Sequence, residues 1–273
     1  MHEGVPPGGA LVPELLARAN FAVGNRWDAP AIEVFGALTL ALREGSPRLA
    51  TEGGALAQHG DDRGADEGTH EIAGARYVAV AGGFEAPLVM GGRGALPSAG
   101  IGAWLRKGEV LRSLARASSA RADAHAIPVE ARDATLAEEA IRVVRGPDLE
   151  RFADAAWRTF LETSFAFTGL GDRMGTRLRG AMLARRDEGD GSARSFPMAR
   201  GAIQVPSSDE LVVLGPDHPT TGGYPVVATV IRADLGRFAM RDGPGRSARF
   251  AEVSVELAQA AWREHRARHG MLP

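Results

Sequence analysis

The sequence predicts an α+β protein, mostly β, built on antiparallel sheets or closed barrels. Two observations carry this. Each half of the 273-residue chain holds one clear helical pattern and many short apolar runs of strand length. Helices and strands do not alternate one for one, as a parallel sheet with crossover helices requires. The length suits one large domain or two small ones, and no sequence repeat relates the halves.

The elements follow in order. Residues 12–25, VPELLARANFAVGN, predict a helix. Pro13 suits its first turn, Leu15, Leu16, Ala19, Ala22 and Val23 make one apolar stripe, and Gly24 can stop it. In AIEVFGALTLAL, 31–42, Ile32, Val34, Leu38, Leu40 and Leu42 all fall on even positions, the alternation of a strand. Residues 44–76 are rich in Gly, Asp, Ser and Thr and read as loop with short strands, and RYVAVAGG, 76–83, as a strand ending in a glycine turn. The segment 116–137 is small, polar and unpatterned, and predicts a connection between a first half, 1–115, and a second, 138–273.

In the second half, IRVVRG, 141–146, is a short strand. PDLERFADAAWRTFLET, 147–163, predicts a helix with Asp148 as its cap and Leu149, Phe152, Ala156 and Phe160 on one side. A charged loop spans 185–194, and AIQVP, LVVL and YPVVATVI read as strands. Val255 to His269 predicts a polar helix whose buried edge is Leu257, Ala258, Ala261 and Trp262.

Composition excludes several functions. Hydrophobic residues are 44% and charged residues 24%, an ordinary globular balance. A net charge of −2 gives no field that favours nucleic acid or an anionic membrane. With no cysteine there is no disulfide, thiolate nucleophile or cysteine metal site. No apolar run is long enough to span a membrane, and MHEGVPPGGALVPE lacks the basic and apolar regions of a signal peptide, so a soluble, cytoplasmic protein is expected. Lys107 is the only lysine, and LRKGE does not fit a phosphate-binding loop. Its neighbours Arg106 and Gly108 differ from the Met-Lys-Met of a biotinylation site. Neither ATP nor biotin is expected on this chain alone.

Three motifs could carry chemistry. TTGGYP, 220–225, brings the hydroxyls of Thr220, Thr221 and Tyr224 beside Gly222 and Gly223, which can take φ > 0 and let a ligand approach bare backbone N–H groups. Pro225 cannot donate to a ladder and belongs at the first position of the next strand. Spacing alone favours the other reading of this stretch, a tight turn before a core strand. GDRMGTRLRG, 171–180, gathers Arg173, Arg177 and Arg179 near Asp172; it could grip a carboxylate or phosphate, or be a solvated turn. His265 and His269 have helical metal spacing but no carboxylate at ligand spacing, so no metal is expected.

Taken in order, GVPPGGA (4–10), FAVGN (21–25), AIEV (31–34), YVAVAGGFEAP (77–87), GDRMGTRL (171–178), GAIQVP (201–206) and PDHPTTGGYPVVATVI (216–231) resemble the allophanate hydrolase subunit 2 family. That family includes KipA, the C subunit of bacterial 5-oxoprolinase, and half of the carboxyltransferase domain of urea carboxylase. The resemblance runs from about Gly4 to Phe250. It implies two cyclophilin-like β-barrel halves. It implies a KipI-like (subunit 1) partner, and for the 5-oxoprolinase branch a LamB/YcsF-type subunit and ATP-dependent opening of 5-oxoproline to glutamate. In the urea carboxylase branch it implies carboxyl transfer from carboxybiotin to a small amide. Carried over by position, Asp217, Thr220, Thr221 and Tyr224 would be catalytic, and Arg173, Gln204, Gly222 and Gly223 would bind substrate. Arg173 would hold a carboxylate, the glycine N–H groups and threonine hydroxyls would stabilise an oxyanion, and Asp217 or Tyr224 would handle a proton.

The chain departs from the family at polar positions. The acidic residue of GVPxSGAMD is Val12, GSRST is GGRGA at 91–95, the tyrosine of RMGYRL is Thr176, and a Ser-Glu before GAIQVP is Ser195-Phe196. A segment like TTVQDLGR ahead of Gly4 is absent. These losses keep open a non-catalytic binding or regulatory module beside the two enzymatic expectations.

Overall fold

The computed structural model describes residues 4–45, 47–56, 68–102, 104–114, 139–186, 195–206 and 210–272. The expected connection 116–137 and most of the charged loop 185–194 lie outside the described residues. The chain divides into two compact units, one of residues 1–12 with 132–265, the other of residues 13–131 with 266–273. The class is as expected, mostly β with four α-helices among the described residues.

In the unit built on residues 13–131, helix α1 (Pro13–Ala22) stops where Gly24 takes φ 80°. The expected single strand at 31–42 is two strands, β1 (Ile32–Glu33) and β2 (Leu38–Ala41), broken where Gly36 takes φ 104°. The alternation still held for the face: Val34 is buried, and Ile32, Leu38, Leu40 and Leu42 pack on the same cluster. A four-stranded sheet runs β1, β6 (Tyr77–Val80), β3 (Leu49–Thr51), β4 (Gly54–Ala55), while β2 pairs with β5 (Thr69–Ile72) alone. Asn25 of the FAVGN motif ties the helix end to the sheet, donating to Val80 O at 2.8 Å and accepting from Gly82 N at 2.7 Å.

Beyond β6 the chain leaves this sheet as an arm. Its stem is closed by Leu114 N donating to Gly83 O and Glu85 N donating to Arg112 O. Leu88, Met90, Trp104 and Val110 on the arm are largely exposed, and Leu96 is the one buried large apolar side chain among its described residues.

The other unit carries an eight-stranded sheet. Its strands are β7 (Ile141–Arg145), β8 (Phe165–Phe167), β9 (Gly175–Arg179), β11 (Ala202–Gln204), β12 (Glu210–Leu214), β14 (Val226–Val230), β15 (Ser247–Ala248) and β16 (Phe250–Glu252). Their order is β15-β8-β9-β12-β11-β14-β7-β16. Laid flat, eight strands at about 4.8 Å spacing would hold the edges more than roughly 30 Å apart. Yet β15 and β16, the two edges, are joined by Arg249 alone, a reach of about 7 Å. The sheet must therefore curl into a nearly closed barrel, which hides its edges. Inside sit Ile141, Phe160, Phe165, Leu178, Ile203, Val227 and Phe250, with Phe160 stacked on Phe250 at 4.8 Å.

Two helical expectations needed correction. The helix expected over 147–163 is a 3-10 turn at Leu149–Arg151 and then α2 (Ala156–Glu162). Phe152 is extended instead, bridging Arg185, with its carbonyl taken by Arg186 Nε at 2.7 Å. Tertiary pairing overrides the helical period there. Asp148 caps nothing; its Oδ2 accepts from Val226 N at 2.8 Å and fixes the start of β14. The short helix α3 (Leu235–Ala239) adds Phe238 to the barrel cluster. In the C-terminal helix α4 (Val255–Arg268), Leu257 is 61% exposed rather than buried. Trp262 is half-buried under the Arg232 guanidinium, 4.5 Å from its ring.

Candidate functional site

Strands β9 and β12 pair from Glu210↔Arg179 to Leu214↔Gly175, so the residues just outside that end face each other. There Gly215 N donates to Met174 O and Asp217 N to Arg173 O, both at 2.9 Å. The side chains then meet as a fork: Arg173 Nε donates to Asp217 Oδ2 at 2.7 Å and Nη2 to Oδ1 at 2.8 Å. Only 13% and 7% of these side chains is exposed, so the pair is largely desolvated. Gly215 is required by close approach, since a Cβ there would lie 2.3 Å from Arg173 O.

The same guanidinium reaches further. Arg173 Nη2 donates to Gly9 O at 2.7 Å, and Gly8 N donates to Pro216 O at 3.1 Å. Thr220 Oγ1 donates to Gly4 O at 3.4 Å, and Arg200 Nη2 to Leu11 O at 2.8 Å. GVPPGGA is thus a strap laid along GDRMGT and PDHPTT, three motifs that are far apart in sequence. Beside the strap lies a shallow open cleft bounded by Leu11, Thr176, Arg200, Pro216 and Phe238.

The glycine turn has its own structure. Strand β13 (Thr221–Gly222) pairs antiparallel with β10 (Phe196–Pro197), and the register commits the Gly222 N–H to the Phe196 carbonyl. Neither Gly222 nor Gly223 takes a positive φ. Gly222 is bare because of what lies beneath it: a Cβ would sit 2.8 Å from Gln204 Nε2 and 3.2 Å from Met198 Cγ. Gln204, beside a register shift in β11, is only 5% exposed, and its Nε2 meets Met198 Sδ at 3.4 Å. Thr221 is exposed, Tyr224 is 53% exposed, and Thr220 and Gly223 are half-buried. Pro225 stands immediately before β14, as its missing N–H demands.

All eight expected residues therefore lie in one unit, in two groups. Arg173, Asp217 and Thr220 hold the strap, while Thr221, Gly222, Gly223, Tyr224 and Gln204 make the turn and its floor. The carboxylate that Arg173 holds is Asp217's, and both Asp217 oxygens are engaged by it. Arg177 and Arg179 turn outward to Glu210, at 3.4 and 2.9 Å.

Sequence reasoning passed over His218. It is fully buried, its Nδ1–H donates to Pro219 O at 2.8 Å, and its Nε2 has no partner. A histidine between Asp and Pro in a loop has no periodicity to mark it as buried. A second buried carboxylate, Asp234, is held by arginines: burial pushes its pKa up, but hydrogen bonds from Arg142, with Arg237 alongside, hold it below the ordinary carboxylate range.

Fold and site define a class: a mostly β protein whose eight-stranded barrel carries a polar site assembled from glycine- and proline-rich loops. The chain belongs to the carboxyltransferase domain, subdomain A and B family, whose model matches residues 3–252. It is 30% identical to the C subunit of 5-oxoprolinase from Escherichia coli (strain K12), over 97% of this chain and 92% of that protein. It is 27% identical to urea amidolyase of Lachancea kluyveri over 94% of this chain, which spans only 16% of that protein. The crystal structure of Kluyveromyces lactis urea carboxylase superposes with a TM-score of 0.77 at 23% identity, covering 97% of this chain and 26% of that one, a likeness of fold.

Proposed function

We propose that this chain is the C-type subunit of an ATP-dependent 5-oxoprolinase-like complex that opens 5-oxoproline to glutamate. One observation carries the reading: the match to the C subunit of 5-oxoprolinase is end to end for both chains, 97% and 92%. The urea amidolyase match leaves most of that protein unaccounted for. The chain works beside a KipI-like subunit and a LamB/YcsF-type subunit, and ATP is handled by the complex. Its sole lysine, Lys107, is exposed in a turn closed by Glu109 N donating to Arg106 O, remote in character from a phosphate cradle. The exposed apolar side chains of the 84–114 arm supply a surface for such a subunit.

Within this reading Thr221 and Tyr224 face the substrate with their hydroxyls, and the Arg173–Asp217 pair holds the strap that completes the site. Co-expression with the neighbouring subunit genes should give one co-eluting complex with 5-oxoproline-dependent ATP hydrolysis. A complex that forms but never hydrolyses ATP in response to 5-oxoproline sinks the proposal. The urea amidolyase likeness favours a second reading, half of a carboxyltransferase that takes its carboxyl group from carboxybiotin. It predicts amide-dependent consumption of carboxybiotin by the same preparation. A complex with neither activity points to a binding or regulatory module.

A further inference from the structure

We infer that the apex of the arm, WLRKGEV at 104–110, docks into an apolar groove of the KipI-like subunit, a groove that ends in carboxylates. The identity of that subunit rests on the proposed function above; the docking element rests on this chain's own surface. Every residue from 104 to 110 is exposed. Leu88, Met90, Trp104, Leu105 and Val110, with Phe35 beside Trp104, are each 45–64% exposed. Together they leave roughly 700 Å² of surface in water, more than the largest patch of a typical monomer and close to the ~800 Å² that one partner gives to a standard interface. Folding does not account for the five arm residues, since none of them belongs to the core cluster of its own unit. They are strung along an arm and not spread on a sheet face, so a groove covers them better than a flat surface does.

The apex is ordered before any partner arrives. Arg106 to Glu109 form a turn: Glu109 N donates to Arg106 O at 3.1 Å, Arg106 N donates to Glu109 Oε2 at 2.9 Å, and Gly108 takes φ 86°, as the third position of a type II turn requires. Trp104 stands edge-on to Phe35, with ring centroids 6.1 Å apart, and the Arg76 guanidinium covers Phe35 at 5.3 Å. A tryptophan so held loses little freedom when it is covered, and tryptophan is enriched among the residues that dominate interface energies. Charge selects the partner. The arm carries Arg93, Arg106, Lys107 and Arg112 against Glu85 and Glu109, on a chain of net charge −2. The Glu109 carboxylate is turned back onto Arg106 N, and neither Arg106 nor Lys107 enters an ion pair among the described residues. Lys107, the only lysine of the chain, thus stands at the second position of the turn as a compact ammonium on a flexible stem, suited to a carboxylate-lined pocket. A second copy would set one basic apex against another, which like charge opposes; the occupant is a different chain with an acidic complement.

The single lysine makes the test specific. The complex co-expressed with the KipI-like subunit is treated with a carbodiimide, which joins amines to carboxylates in contact, and the product is mapped by mass spectrometry. Lys107 should be joined to an Asp or Glu of the KipI-like subunit, and Lys107→Arg should lose that crosslink while binding as the wild type does. Trp104→Ala should weaken binding by about thirtyfold, the loss of one hot spot. Lys107→Glu should weaken it by about tenfold at low salt and much less at high salt, as a screened charge contact does. Both variants change exposed side chains, so circular dichroism and melting temperature should match the wild type. Wild-type affinity in Trp104→Ala and Lys107→Glu overturns the inference. So does a Lys107 crosslink to a second copy of this chain or to the LamB/YcsF-type subunit. Failure of the wild-type chain to bind the KipI-like subunit sinks both this inference and the proposed complex. Binding that needs Trp104, in a complex without 5-oxoproline-dependent ATP hydrolysis, counts against the proposed reaction and leaves the docking apex standing.

Discussion

Replacing Asp217 by asparagine tests how much of the strap rests on one charge pair. The substitution keeps shape and one acceptor oxygen but removes the carboxylate charge, leaving the Arg173 guanidinium 13% exposed, with the Gly9 carbonyl among its acceptors. Breaking a buried pair by removing one partner costs about 3–5 kcal/mol, because the survivor stays desolvated. The oxygen that asparagine retains puts the expectation at the lower end, about 3 kcal/mol. That is on the order of a hundredfold in the unfolding equilibrium. Urea denaturation should show it, followed through the fluorescence of Trp157 and Trp262, both in the barrel unit. Cleavage within residues 4–12 by a nonspecific protease should rise in parallel, since Arg173 ties down Gly9. Replacing both partners by apolar residues, Arg173→Met with Asp217→Leu, should restore much of the loss because no uncompensated charge remains. A cost below about 1 kcal/mol for Asp217→Asn would show that water reaches the pair and that the strap is held by other contacts.

Three further outcomes follow. Asp234 is pulled below its ordinary pKa by its arginine partners, so its contribution is complete above the unfolded value of about 3.9 and is lost as pH falls through the folded value. Asp234→Asn should therefore cost about 2–3 kcal/mol at pH 7, softened because Arg142 is 41% exposed, and the gap to wild type should close below about pH 4 in denaturation curves. Gly180→Ala would place a Cβ 2.5 Å from the Phe165 ring and should destabilise the barrel by about 1–3 kcal/mol in the same assay; an unchanged midpoint would mean that the ring can step aside. Thr221→Val removes an exposed hydroxyl from a strand and should leave the melting temperature within a degree or two, yet lower the activity of the reconstituted complex at least tenfold. A fully active variant would make that hydroxyl idle.

What could be read from sequence was whatever depends on local period. Tyr77–Val80, Ile141–Arg145 and Val226–Val230 are strands because short β-branched runs between breakers have few alternatives. The even-numbered apolar residues of 32–42 face one cluster even though Gly36 divides their strand, since side-chain alternation resumes in phase. The failures are places where distant partners decide. Phe152 leaves the helical pattern to bridge Arg185, and Asp148 serves Val226 rather than a helix start. Barrel closure was invisible to periodicity: it is imposed by one residue, Arg249, between two strands on opposite edges.

The site shows the same division more sharply. Motif resemblance selects Arg173 and Asp217 but implies an outside partner for each, a substrate carboxylate for one and a proton for the other. Both expectations treat a charged side chain as waiting for chemistry. In a protein interior a charge is first required to be neutralised, and the nearest opposite charge is the cheapest way to do it. The bidentate pair across 44 residues is that solution. Gly222 repeats the lesson with backbone. A Gly-Gly pair suggests φ > 0, yet spacing cannot distinguish a residue that is bare for its own torsion from one that is bare for its neighbour's side chain. Here the neighbour is Gln204, a buried amide whose Nε2 meets the Met198 thioether.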